Sequence, residues 1–174
     1  MRVFLDFEAS SLNSKFSFPV EVGWVLEDGS GEGHLIRPAP HWTDWDPSAE
    51  VMHGLSRAVL EREGEDVAAV CDRVVDLFAG NMVYCSAPSW DGHWLSMLLR
   101  AAGRPRHLLR MLDTEVAFEE AARQRLASDD EAAIAELVAQ ARTEAAAWPV
   151  THRAEADARR EWRIWQRILG TSER

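Results

Sequence analysis

Cysteine is scarce in this chain. Cys71 and Cys85 are the only two in 174 residues; both sit in apolar segments and neither has a partner at metal-binding spacing. A disulfide framework is thereby excluded, and buried thiols in a reducing cytoplasm are the expected state, with one disulfide as the lesser alternative. Long apolar runs are missing as well: no stretch approaches the ~20 residues that a membrane-spanning helix needs. The opening residues lack the basic, then apolar, then small-residue order of a secretory leader, because acids arrive at residue 6. Basic charge is in deficit too, with 19 Lys and Arg against 29 Asp and Glu and a net charge of −10. That balance disfavours tight non-specific binding of long duplexes, which depends on neutralising many phosphates. It leaves room for a short nucleic acid, since a metal site removes several negative charges from the local balance.

What is present suffices for one packed domain: the chain is 47% apolar and carries eight Trp. Residues 1–8 read as a strand, Val20 to Leu26 as a second, Asp28 to Gly31 as a turn, and Gly33 to Arg37 as a third strand ended by Pro38. This predicts an antiparallel three-strand meander. Residues 38–55 read as a loop rich in Trp and Pro. Val67, Val70, Cys71, Val74, Leu77 and Phe78 recur at helical spacing, Met82 to Cys85 reads as a short buried strand, Asp91 to Ala102 as a helix, and Leu108 to Asp113 as a fifth strand. Residues 115–147 are rich in Ala, Glu and Arg and predict one or two helices with a break at Ser128-Asp129. A last helix is expected from about Arg153 to Leu169, with Ala154, Ala158, Trp162, Trp165 and Leu169 on one face. The pattern predicts an α/β fold, a mixed sheet with helices against it.

The most informative residues are Asp6-Phe7-Glu8. On a strand, Phe4, Asp6 and Glu8 share one face while Val3, Leu5 and Phe7 share the other. Two carboxylates on one face repel each other and resist burial, and a cation between them resolves the conflict. Hard oxygen ligands suit Mg²⁺ or Mn²⁺. Alone the pattern is weak, since Asp113-Thr114-Glu115 and Asp129-Asp130-Glu131 share it. A second candidate is Asp91, which also suits the start of a helix by charge alone. The third is His152 with Asp157 at the lead-in and first turn of the last helix; His41 and Asp46 match that spacing too, in a proline-rich loop.

Taken together, and in this order along the chain, the three resemble the DEDDh 3′–5′ exonuclease family, which includes oligoribonuclease, ribonuclease T and proofreading exonucleases. Phe4-Leu5-Asp6-Phe7-Glu8 is similar to the first family motif, and Pro19-Val20-Glu21-Val22-Gly23 to the second strand, where an acid and a glycine usually recur. His53-Gly54-Leu55-Ser56 resembles the short His-Gly element, and Ser89-Trp90-Asp91 the second motif. Asp113-Thr114 resembles a structural Asp-Thr, and His152 to Asp157 the third motif. The chain departs from the family at Ala87, where Asn is frequent, and in Ala9-Ser10-Ser11-Leu12, which lacks the usual glycine.

The resemblance implies an RNase H-like mixed five-stranded sheet, meander plus parallel strands, flanked by helices. It implies one exonuclease domain over 1–174 with a helical insertion at about 115–147, open to being a dimer surface or a cap over substrate. It further implies two Mg²⁺ or Mn²⁺ ions on Asp6, Glu8, Asp91 and Asp157, His152 as general base, and a rate rising with pH through the histidine range. Ala9, Ser10 and Leu12 would line the 3′-terminal nucleotide, with Leu12 stacking on a base or, equally, packing in the core; His53 would touch the substrate or serve as a structural histidine that holds its loop. The expected substrate is single-stranded or short DNA or RNA. Two other readings stand beside it: a catalytically idle nucleic-acid-binding module of the same fold, and a Mg²⁺-dependent phosphodiesterase on dinucleotides. Trp42, Trp45 and Trp90 are candidate stacking platforms or loop pins. Arg100, Arg104, Arg106 and Arg110, and separately Arg153, Arg159, Arg160, Arg163 and Arg167, are candidate phosphate tracks or solvated faces paired with acids.

Overall fold

The computed structural model describes residues 1–171; the last three residues of the expected 1–174 domain lie outside them. Along the chain come β1 (Arg2–Ala9), β2 (Pro19–Leu26), β3 (Gly31–Leu35), α1 (Pro47–His53), α2 (Arg57–Glu63), α3 (Val67–Phe78), β4 (Met82–Cys85), α4 (Pro88–Ala101), β5 (Leu112–Asp113), α5 (Thr114–Leu126), α6 (Glu131–Ala145) and α7 (Ala154–Leu169). The strands form one sheet in the order β3-β2-β1-β4-β5. The first three make the antiparallel meander, while β4 and β5 add in parallel on the other side of β1. The fold is therefore α/β: a mixed, RNase H-like five-stranded sheet flanked, among the described residues, by seven helices.

Alternation along β1 produces the layering. Val3, Leu5 and Phe7 enter one core with Val22, Trp24, Val70, Cys71, Val74, Trp94, Leu95 and Leu98, so α3 and α4 cover that face. Phe4 enters a second core with Tyr84, Phe118, Ala122, Ile134, Val138, Ile164, Trp165 and Ile168, so α5, α6 and α7 cover the other. Asp6 and Glu8 lie on Phe4's face, toward the carboxyl end of the central strand, beyond the edge of that second core.

Several expectations are corrected. Residues 38–55 are not all loop: Pro47–His53 is α1, started by Asp46, whose side chain accepts the Ser48 N–H, and stopped by Gly54 at φ 71°. Proline at a first helical turn starts a helix rather than forbidding one. Arg57–Glu63 is a further short helix, α2, capped by the Ser56 hydroxyl. The fifth strand is only Leu112–Asp113 rather than 108–113, because β4, its sole neighbour, offers register only at Tyr84 and Cys85. The third strand is Gly31–Leu35 rather than 33–37, and Ile36 instead makes an isolated bridge to Glu65. Helix α4 opens at Pro88, three residues before Asp91, with no side-chain cap. Residues 115–147 hold α5 and α6; Asp130 rather than Ser128 or Asp129 caps the latter, accepting from Ala132 and Ala133 N–H. Both cysteines are free and buried. Among the described residues no helix is long and apolar enough to cross a membrane.

Candidate active site

The carboxyl end of β1, the end of β4, the first turn of α4 and the start of α7 meet at one place. Glu8, His152 and Asp157 each present a ligand atom within 4.8 Å of the others. Asp6 lies inside the field of Asp91, Glu8 and Asp157. All four sequence-predicted carboxylates and the histidine are thus brought together.

Each side chain is held differently. Asp91 is 1% exposed. Its Oδ2 accepts the Ala87 N–H at 3.2 Å, and the Phe7 backbone and the Cys85 thiol also hydrogen-bond it. The residue is therefore not the N-cap of α4, yet it satisfies the N–H that opens the helix and ties that helix to β1 and β4. Asp157 sits one turn into α7, where its N–H bonds the Arg153 carbonyl at 2.9 Å. His152 adopts a left-handed backbone, φ 49°, just outside the helix.

Burial pushes every one of these carboxyls up, and repulsion among them adds to it at Asp6 and Glu8. Asp6 lies well above the ordinary range, through burial first and then Asp91, Glu8, Asp157 and Glu161. Glu8 is pushed up to about 8 by burial, Asp157 and Glu21, with Arg153 opposing. Asp91 is raised to about 7 by burial, against its three hydrogen-bonding neighbours. Asp157 is raised by burial, with His152 and Arg160 opposing. Oxygen donors crowded at a cost in charge fit a hard divalent cation, whose charge removes that cost. Mg²⁺ or Mn²⁺ therefore fits the donor set.

This makes a stability prediction. Carboxyls with raised values in the folded state favour folding when protonated; the contribution is fully present below their unfolded values near 4 and is lost as pH rises toward 8. Treated with EDTA, the protein is expected to lose about 5–10 °C of melting temperature between pH 5 and pH 8.5, from roughly 2–3 kcal/mol once solvent screening is allowed for. Mn²⁺ at pH 8.5 should restore most of it. Thermal melts that stay flat with pH in EDTA would contradict the crowded site.

The predicted nucleotide-lining residues divide. Leu12 is 71% exposed, which excludes core packing. Ala9 is buried at the end of β1, where the register shifts. Ser10 is buried and engages its polar groups internally. Its N–H bonds the Phe18 carbonyl at 2.9 Å and its carbonyl accepts the Asp46 N–H at 2.9 Å. Its hydroxyl takes the Phe18 N–H at 3.1 Å and reaches Asp44 at 3.4 Å. Ser10 therefore shapes the loop rather than offering a hydrogen bond outward. His53 is buried; its Nδ1 accepts the Leu55 N–H at 3.0 Å, so in the neutral ring Nε2 carries the hydrogen. That buried Nε2 lies by the Ala9 carbonyl without a protein partner of normal geometry.

The aromatic and basic candidates fall mostly on the structural side. Trp42 is 2% exposed and stacks on Phe18 at 5.0 Å, Trp45 donates to Glu50 at 2.7 Å, and Trp90 stacks on Trp94 at 5.7 Å. Arg104 pairs with Asp72, Arg153 with Glu21, Arg159 with Glu155 and Arg167 with Glu144. Asp113 caps α5, accepting the Glu115 N–H at 3.0 Å, which makes the second Asp-x-Glu structural. Sequence reasoning missed Glu161, a fifth acid raised by burial and felt by Asp6. Its position four residues after Asp157, on the same face of α7, was the available signal.

The fold matches solved structures of E. coli exonuclease I. They include the zinc-bound form of the exonuclease I–single-stranded DNA complex, with TM-score 0.68 and 16% identity over 94% of this chain and 39% of that one. The metal-free form of that complex gives TM-score 0.57 and 16% identity over 71% and 30%. The product-bound structure gives TM-score 0.57 and 16% identity over 74% and 33%. This chain thus spans about a third of the length of exonuclease I. No family model matches the chain, and no curated protein does.

Proposed function

We propose that this chain is a metal-dependent 3′–5′ exonuclease that hydrolyses the terminal phosphodiester bond of single-stranded or short nucleic acid. The observation that carries the reading is the convergence of Asp6, Glu8, Asp91 and Asp157 with His152 at the carboxyl end of the central strand. The fold shared with exonuclease I, solved as single-stranded DNA complexes, supports it. Asp6, Glu8, Asp91 and Asp157 would hold two Mg²⁺ or Mn²⁺. Bound there, such ions supply positive charge against the attacking and leaving oxygens of phosphoryl displacement.

The chain's own groups do the rest. His152, within reach of Glu8 and Asp157, takes the proton of the attacking water on an imidazole nitrogen; the acids beside it stabilise the imidazolium that forms. Asp91, fixed by hydrogen bonds from three segments, keeps its carboxylate in place while charge moves. Leu12, exposed on the loop that follows β1, offers an apolar surface for the terminal base, and Ala9 and His53 are assigned to the same subsite. Arg104, Arg153, Arg159 and Arg167 are committed to acids, and with a net charge of −10 this favours short or unpaired substrates over a long duplex.

Matched 5′-labelled DNA and RNA oligomers of several lengths, with Mn²⁺ and with EDTA, test the proposal. The expected result is a ladder shortening from the 3′ end that EDTA abolishes. Binding without cleavage would establish the idle module instead, and cleavage confined to dinucleotides the small-substrate phosphodiesterase.

A further inference from the structure

We infer that Glu21 is a positioning residue for His152: with Arg153 it forms a latch that clamps the start of α7 beside the acidic pair on β1. The inference rests on the nuclease reading for its catalytic consequence, though not for its geometry.

Glu21 is 3% exposed, and four donor contacts converge on its carboxylate. Arg153 Nε lies 3.2 and 3.0 Å from the two oxygens, Arg153 Nη2 lies 2.6 Å from Oε1, and the Ala154 N–H donates to Oε2 at 3.0 Å. The N-cap residue of α7 is Arg153, whose side chain makes no capping bond. The unpaired N–H groups of a helix start need acceptors, and negative charge is favoured there. Here the acceptor comes from another element, strand β2, so the cap is also a tertiary tie.

Register turns that tie toward the site. β1 and β2 pair antiparallel with Glu8 opposite Glu21 and Asp6 opposite Gly23. The Glu-x-Gly of β2 therefore mirrors the Asp-x-Glu of β1 and stands beside it on one face. Gly23 makes the close approach possible: a Cβ there would lie 2.1 Å from the Glu155 nitrogen and 2.6 Å from the Ala154 carbonyl carbon, both backbone atoms of the first turn of α7. Glycine opens the seat, and Glu21 holds the helix in it.

The residue most dependent on this arrangement is His152. Its φ of 49° is a left-handed conformation that is costly for a non-glycine residue and persists only where neighbours impose it. The two residues that follow it, Arg153 and Ala154, are the two that Glu21 grips. Releasing them would let His152 relax toward an ordinary backbone and swing its ring away from Glu8 and Asp157.

Glu21→Gln keeps the shape and one acceptor but removes the ion pair; Arg153→Gln removes the exposed partner and carries the test should the first variant fold poorly. Three readouts apply. Amide exchange over residues 150–158 is expected to quicken about tenfold while the second half of α7 stays protected. The His152 imidazole cross-peak in a ¹H–¹³C spectrum should shift. With substrate, kcat should fall roughly 10–100-fold, the scale for partners that orient site residues, with KM little changed. In a His152→Ala background the same change should cost nothing further, because both act through one group. Unchanged exchange and an unmoved cross-peak would overturn the latch, and an equal loss in both backgrounds would overturn its action through His152. A wild-type protein without Mn²⁺-dependent cleavage would defeat the nuclease reading alone, since exchange and the cross-peak need no substrate.

Discussion

Asp6→Asn is expected to abolish Mn²⁺-dependent shortening of labelled oligomers while making the protein without metal more stable. The two effects share one cause. Asp6 stands at the middle of the acidic site, raised well above the ordinary carboxylate range by burial and by Asp91, Glu8, Asp157 and Glu161. At neutral pH its charge costs folding free energy that only a bound cation returns. Asn is nearly isosteric and uncharged, so it relieves Asp91 and Glu8 as well. The rate should fall by at least ~10²–10³-fold, the scale on which single electrostatic stabilisers act in active sites. The melting temperature in EDTA at pH 8 should rise by several degrees, each ~1 kcal/mol being worth ~2–4 °C at this size. Rates and melts on the same preparation check both halves. Full activity, once contaminating nuclease is excluded, would remove Asp6 from the site; a melting temperature that falls would show that Asp6 supports the fold and is not strained by it.

How much of this was legible beforehand depends on whether a feature is carried by local pattern or by long-range register. The face alternation of β1 follows from period two, so the split of Phe4 from Val3, Leu5 and Phe7 into separate cores was readable from seven residues. The convergence of the five candidate residues was readable because their order along the chain is distinctive, although each alone had decoys. Helix α1 was missed because the Trp and Pro of residues 38–55 read as loop, and α2 because a helix of seven residues carries little periodicity. The two-residue extent of β5 depends on how far β4 runs beside it, which no local signal encodes. Glu21 was visible as a family-like acid, but its work as a cap for α7 needs the pairing of Glu8 with Glu21 across two strands. Ser10 shows the converse: its small polar side chain suggests a ligand contact, and the fold uses every polar group it has to close the loop.

Replacing His152 by alanine should lower kcat roughly 10²–10⁴-fold near neutral pH, the usual range for a positioned general base, with Mn²⁺ affinity largely retained. Its second half matters because Glu8, His152 and Asp157 are close enough to hold one ion between them. If the imidazole serves as a ligand rather than a base, affinity and rate fall together. A metal titration followed by binding and by turnover separates the roles: a base leaves the binding curve in place and lowers the plateau, whereas a ligand moves the midpoint. Alanine is the right replacement because His152 sits at φ 49°. Alanine retains the backbone cost of that conformation, so the ring alone is removed. Glycine would relax the backbone at the same time and loosen the approach to α7. Stability should therefore change little in His152→Ala, and a rate within about threefold of wild type would deny the ring any part in proton transfer.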